Sequence, residues 1–251
     1  MLSRKSIILQ AQNDGVLDYN WNYPLSINLF NKMSLYDAKF AEFLHDEGFK
    51  SKDEKKKKFK LINFMLLFNN QKMDSEGINI NKNDESVLII SGYKDPMNAI
   101  LQGLCINNEI NLNNVIFKVI DVKEDKKVKF NKINIYKAMT PIVESIWEDN
   151  SVKFLNPYQS KYYDAIKQNL NRKYEIIYNK PYSGELKLMI ENMLKIKQKS
   201  IRIKNGYIQG YSNFEILVQC NKNMQKVAYY CGLGQNSSMG AGLVNYITGG
   251  E

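Results

Sequence analysis

One histidine, three cysteines and five prolines in 251 residues leave several common chemistries without their residues. Cys105, Cys220 and Cys231 stand far apart with no CxxC pair. An odd, widely spaced set argues against both a disulfide framework and a zinc site. His45, being alone, belongs to no histidine cluster that would hold a metal. Long apolar runs are missing too: nothing approaches the ~18 residues needed to cross a bilayer. The start, Met1-Leu2-Ser3-Arg4-Lys5, runs into a short apolar segment with no cleavage pattern. These absences predict a soluble, cytoplasmic protein with reduced thiols, no bound metal and no cofactor.

What the chain does have is apolar material and positive charge. Hydrophobic residues make up 44%, enough for a real core. Lysine and arginine outnumber the acidic residues by 35 to 26, for a net charge of +9. A basic surface attracts polyanions, and counterion release makes nucleic acid a strong, salt-sensitive partner. Charge alone does not separate RNA from DNA or from an anionic membrane. The 16 tyrosines and 11 phenylalanines either fill the core or stack on unpaired bases.

Periodicity gives an order of elements. Residues 6–12 read as a strand ending at the turn Asn13-Asp14-Gly15, and Pro24 opens a long helix that stops at Gly48. Strands follow at 59–68 and 87–92, then a helix from Pro96 and a strand at 115–122. That order is βαββαβ, the split βαβ unit of ferredoxin-like and RNA-recognition folds. A charged stretch, Lys123-Glu124-Asp125-Lys126-Lys127, marks a boundary. Beyond it the order recurs less cleanly, with strands at 128–136 and 139–147 and a helix over 157–171. Extended segments at 185–194, 200–203 and 214–220, a helix at 222–230 and a last strand at 243–247 complete it. The fold class expected is α+β, two tandem ferredoxin-like domains over 1–124 and 125–251, the second carrying a C-terminal glycine-rich loop.

That loop reads Cys231-Gly232-Leu233-Gly234-Gln235-Asn236-Ser237-Ser238-Met239-Gly240-Ala241-Gly242. So many glycines permit a backbone that bends closely around a ligand. Outward N–H groups, with Gln235, Asn236, Ser237 and Ser238 as further donors, suit phosphate oxygens. Neither the P-loop nor the dinucleotide GxGxxG spacing is met. An ordinary helix-to-strand connection is the plain alternative. The segment resembles the C-terminal signature of the CRISPR-associated endoribonucleases that mature guide RNA, the Cas six family. It matches as Gly232-Leu233-Gly234, then four polar residues, then Met239-Gly240-Ala241-Gly242-Leu243. Two departures are the lack of a basic residue in the loop and Ala241 where the family has an aromatic. Ser200-Ile201-Arg202-Ile203-Lys204-Asn205-Gly206 before an apolar strand also looks like the family's second domain.

The resemblance gives His45 a role. Leu44-His45-Asp46 matches the family's histidine context at the end of the first helix, although a surface histidine favoured by the helix dipole is the bland reading. It implies metal-independent cleavage of CRISPR repeat RNA by 2′-OH attack, leaving 2′,3′-cyclic phosphate and 5′-OH ends. His45 would serve as acid or base. Seven of the eleven residues from Lys50 to Lys60 are lysines, a run read either as a solvated loop or as a grip on RNA phosphates through Lys50, Lys52, Lys56, Lys57 and Lys58. Lys60, opening the next strand, corresponds to the family's catalytic lysine and would face the developing phosphorane; Lys58 and Lys52 are its substitutes. Gly232, Gly234 and Gly240 complete the expected RNA-binding set. Some relatives carry a catalytic tyrosine where this chain has Phe30; Tyr36 or Tyr23 substitutes, or His45 and Lys60 act alone. The implied partners are pre-crRNA and a CRISPR effector complex, the protein being a monomer or homodimer. The alternative is a non-catalytic repeat-binding protein of the same fold. An ordinary RRM is disfavoured, since no RNP1 pattern is present.

Overall fold

Ile7, Leu9 and Ala11 are buried while their neighbours are half exposed, the period-two pattern of a strand with one face on a core. They lie in β1 (Leu2–Ala11), the centre of the first sheet in the computed structural model, which describes residues 1–52, 57–69, 71–126, 128–191 and 193–250. Next come β2 (Gly15–Leu17), α1 (Asn22–Tyr36), α2 (Ala38–Asp46), β3 (Ile62–Phe68), β4 (Ile78–Ile80) and β5 (Glu85–Tyr93). Then follow α3 (Lys94–Ile106), β6 (Glu109–Leu112) and β7 (Val115–Glu124). The sheet order is β3-β5-β1-β7-β6, antiparallel throughout, with Ile7 opposite Leu88 on one side and Val122 on the other.

The second half repeats the plan. It runs β8 (Ile133–Ala138), a hairpin of β9 (Ser145–Glu148) and β10 (Ser151–Phe154), α4 (Ser160–Tyr178) and β11 (Lys187–Ile190). A second hairpin, β12 (Lys197–Ile203) and β13 (Gly206–Ser212), precedes β14 (Glu215–Gln219), α5 (Lys222–Cys231) and β15 (Val244–Gly250). The main sheet is ordered β11-β14-β8-β15. Leaving aside β6, both sheets therefore place the four principal strands of a βαββαβ unit in the order second, third, first, fourth. The chain is two ferredoxin-like units in tandem, as its periodicity predicts.

Three differences have physical causes. The expected long first helix is two helices, because Asp37 adopts an extended conformation and its side chain caps α2 by accepting from the Phe40 N–H at 2.9 Å. The strand expected from residue 59 begins at Ile62, because Leu61 sits in the left-handed region with φ 52°. Where periodicity marks a strand over 139–147 and an extended segment over 200–203, the structure has two hairpins, and residues 139–144 lie outside the named strands. Their strands pair chiefly with each other, with one further bridge from Tyr211 of β13 to Ile142, and the short β9 and β10 carry too few residues for a period.

Each half has its own apolar core, but the halves are tied together. Phe59 and Leu61, from the N-terminal half of the sequence, pack into the core of the second half. Buried Arg4 on β1 donates to the carbonyls of Tyr229 at 2.7 Å and Val244 at 2.9 Å, with its guanidinium 3.8 Å from the Tyr229 ring centre. These contacts join the two halves through Phe59, Leu61 and Arg4.

Candidate nucleic-acid interface

Helix α2 leaves its last carbonyls without partners inside the helix, as every helix end does. Two lysines take them up. Lys60 Nζ donates to the carbonyls of Leu44 and His45, and Lys58 Nζ to that of Asp46. Alternation explains the arrangement. In the segment Lys58-Phe59-Lys60-Leu61, the aromatic and the leucine turn into the second core and both lysines reach α2. A pair of 2.8 Å backbone bonds between Phe49 and Phe59 closes the link at its base.

His45 projects from this end with its side chain 75% exposed. Its Nδ1 lies 2.6 Å from Asp46 Oδ1. The hydrogen bond from His45 is the main reason the Asp46 carboxyl is held below the usual carboxylate range, so it is ionised and can only accept. Nδ1 therefore carries the proton and Nε2 is left for a ligand. Phe30 stands edge-on to the imidazole, 6.2 Å between ring centres at 90°, and Lys60 Nζ lies 5.9 Å above the Phe30 ring. Burial, then the neighbouring Lys58, pull the Lys60 ammonium down to about 8, with Asp46 opposing. An ammonium has three donors and Lys60 spends two on α2, so one remains. Tyr36 is half exposed at the end of α1, and neither it nor Tyr23 makes a ring contact with His45 among the described residues.

The glycine loop lies across from these lysines. Lys57, Lys58 and Lys60 line one side of an open pocket of about 360 Å³, and Gly234, Gln235, Asn236, Ser237, Ser238 and Met239 line the other. The loop's bends require glycine. Gly232, Gly234, Gly240 and Gly242 have φ between 72° and 78°, and a Cβ on Gly242 would stand 1.9 Å from the Leu233 carbonyl oxygen. The first half holds the loop from outside its own unit: Asn63 on β3 donates to the Ala241 carbonyl at 2.9 Å and Ser26 on α1 to that of Ser238 at 2.7 Å. The turns formed by Asn236 and Ser237 occupy the N–H groups of Met239 and Gly240. Among the described residues no protein acceptor takes those of Asn236, Ser237 or Ser238, and all three residues face the pocket.

Not every expected residue is free to act. Gln235 corrects the expectation of four side-chain donors. Its amide N–H groups go to Glu144 Oε2 at 2.9 Å and the Ser145 carbonyl at 3.0 Å, leaving none for a phosphate. Its backbone N–H goes to the Val143 carbonyl. Lys50 pairs with Glu47 at 3.1 Å, and Lys52 is exposed, its backbone N–H donating to Glu175 at 3.3 Å. Lys56 lies outside the described residues. Ala241, in the position where the resemblance implies an aromatic, is fully buried beside Val143, Ile201 and Ile208.

Two charged residues went unread in the sequence. Lys173 on α4 is almost completely buried beneath the loop and lines the same pocket. Glu144, just before β9, is buried beside Gln235. Lys173 shares the helix face of Tyr162, Ile166 and Leu170, all buried, so a charged residue on an apolar helical period was the available signal.

Comparison with known proteins gives the family. The family description "CRISPR associated protein Cas6, C-terminal" matches residues 122–246, and "CRISPR-associated protein Cas6, N-terminal" matches 16–123. The CRISPR-associated endoribonuclease Cas6 1 of Methanocaldococcus jannaschii is 30% identical over 246 residues, covering 96% of this chain and 91% of the relative. The CRISPR-associated endoribonuclease Cas6 of Pyrococcus furiosus is 23% identical, covering 90% of this chain and 82% of the relative. A solved structure described as CRISPR associated protein Cas6 superposes with a TM-score of 0.79 at 28% identity, covering 99% of this chain and 100% of the other. The chain belongs to the Cas6 family of CRISPR-associated endoribonucleases.

Proposed function

We propose that this protein cleaves CRISPR repeat RNA at the pocket between the end of α2 and the glycine loop, without a metal ion. The 2′-OH attacks the adjacent phosphorus, the P–O5′ bond breaks, and the products carry a 2′,3′-cyclic phosphate and a 5′-OH. His45 Nε2 takes the proton from the attacking 2′-OH or gives one to the leaving 5′-oxygen, and water supplies or takes up the other. Lys60 directs its remaining N–H at the phosphorane oxygens, where a fixed positive charge stabilises the added negative charge. Lys57 and Lys58 and the amides of Asn236, Ser237 and Ser238 hold the flanking phosphates. The domain division implied by this reading is 1–124 for the His45 half and 125–251 for the loop half. The product would pass to a CRISPR effector complex from a monomer or homodimer.

The observation that carries the proposal is the junction at Lys60, which touches the helix end bearing His45 and lines the pocket shared with the loop. Phe30, in edge contact with His45, has no hydroxyl, so proton transfer falls to the imidazole. The test is cleavage of labelled repeat RNA in EDTA by the wild type and His45→Ala, and by the wild type on RNA with one 2′-deoxy nucleotide at the cut. Cleavage lost with either change supports the scheme. Tight binding without cleavage by the wild type, with or without metal, moves the protein to a binding role.

A further inference from the structure

Beneath the glycine loop, three backbone carbonyls converge on one side chain. Lys173 Nζ lies 3.2 Å from the Cys231 oxygen, 2.9 Å from that of Gly232 and 2.9 Å from that of Gly234. An ammonium has three N–H donors, and here all are spent on four consecutive residues of chain. Those residues include two glycines in the left-handed region, a segment with little stiffness of its own. The lysine is 1% exposed, and Glu144, also 1% exposed, lies nearby, its carboxyl pushed up to about 8 by burial. Glu144 reaches the loop as well, since Oε2 accepts from Gln235 Nε2. Its Oε1 has no hydrogen-bond partner among the described residues. Taking an ammonium out of water is costly, and an apolar residue of similar size would fill the same space without that cost. A buried ammonium spent wholly on one loop, with a buried carboxyl holding the same loop at Gln235, therefore points to a requirement for that loop's shape.

We infer that Lys173, supported by Glu144, is a positioning residue that fixes the glycine loop in the form that receives an RNA phosphate. The inference rests on the reading of the pocket as the RNA site. By drawing the carbonyls of residues 231, 232 and 234 inward, Lys173 sets the peptide planes from which the Asn236–Ser238 turn leaves toward the pocket. Its positive charge lies in the pocket wall with Lys57, Lys58 and Lys60, on the side where an anion would sit. Without the ammonium, three inward carbonyls lose their donor, and the glycines let those peptides rotate.

The test compares Lys173→Met, which keeps length and removes the charge, with Lys173→Arg, which keeps a multivalent donor. Two readouts are used: hydrogen exchange at the Leu233 and Gln235 amides, and the salt dependence of binding to labelled repeat RNA. Lys173→Met is expected to speed loop exchange about tenfold or more while β1 and β5 amides keep wild-type rates. It should weaken RNA binding about tenfold at low salt and lower the slope of log affinity against log salt by roughly 0.7, one single-strand phosphate contact. Lys173→Arg should return affinity to within about threefold of wild type. If Lys173→Met does not fold, Lys173→Gln decides, since it keeps a shorter donor at the site and removes the charge. It should show the same two changes, about three- to tenfold. Wild-type loop exchange and wild-type or tighter RNA binding in a folded variant overturn the inference. Failure of the wild type to bind repeat RNA would sink the RNA reading instead, and the exchange readout, needing no RNA, still judges the Lys173 contact.

Discussion

Gly242→Ala adds one methyl group at the point where the glycine loop closes on itself. Gly242 has φ +77°, and an added Cβ would lie 1.9 Å from the Leu233 oxygen and 3.0 Å from its carbonyl carbon. Both atoms are backbone, so no flexible side chain can move aside. Relief requires the two strands of the loop to separate by more than 1 Å, roughly the shortfall from ordinary van der Waals contact. That separation breaks the 2.8 Å bond from the Leu233 N–H to the Gly242 carbonyl. An alanine in the left-handed region costs about 1–2 kcal/mol, and a buried hydrogen bond left unmade about 1–3 kcal/mol. A loss of about 2–5 kcal/mol in unfolding free energy is expected, with repeat RNA binding weakened in the molecules that remain folded. Urea denaturation with parallel RNA titration measures both. Stability within about 0.5 kcal/mol of wild type and unchanged affinity would refute the claim that glycine is required there by close backbone approach.

Other substitutions separate chemistry from architecture. His45→Ala should slow single-turnover cleavage by about 10²–10⁴ and leave RNA affinity within a few-fold, because the imidazole is exposed and packs little; stopped-time cleavage at saturating enzyme reads this. The Lys60 ammonium titrates near 8, well below an ordinary lysine, so its charge is present at pH 7 and lost as pH rises through that value. Single-turnover cleavage should therefore fall above about pH 8, and Lys60→Arg should extend the plateau to higher pH; an unchanged alkaline limb contradicts the cation role. Arg4→Met leaves the Tyr229 and Val244 carbonyls without their donor and should cost about 2–5 kcal/mol in urea denaturation, with no direct effect on cleavage by folded enzyme.

The repeated βαββαβ order was legible in the sequence because each principal strand buries one face and each helix one stripe. Ile7, Leu9 and Ala11 alternate, and Tyr162, Ile166 and Leu170 recur at helical spacing. The break at Asp37 was hidden because apolar spacing continues across it, and only the capping side chain reveals it. Short β2, β4 and β6 carry too few residues for a period. At the site, the helix end with His45, the lysine at position 60 and the glycine loop could be named from local patterns. What could not be read was which partners spend a polar group. Gln235 looked like a phosphate donor until Glu144 and Ser145 claimed its amide, and Lys60 looked free until two carbonyls of α2 claimed two of its donors. Those partners are distant in sequence, and no local pattern encodes them.

The chemistry of the cut ends tests the central claim most directly. Repeat RNA is cleaved to completion in EDTA and each fragment is assayed separately. The account predicts a downstream fragment that polynucleotide kinase labels without prior phosphatase treatment, and an upstream fragment whose end resists phosphatase until acid opens the cyclic phosphate. A 5′-phosphate on the downstream fragment with a free 3′-OH on the upstream one would mean that water, and not the 2′-OH, attacks the phosphorus, and would contradict the roles given to His45 and Lys60.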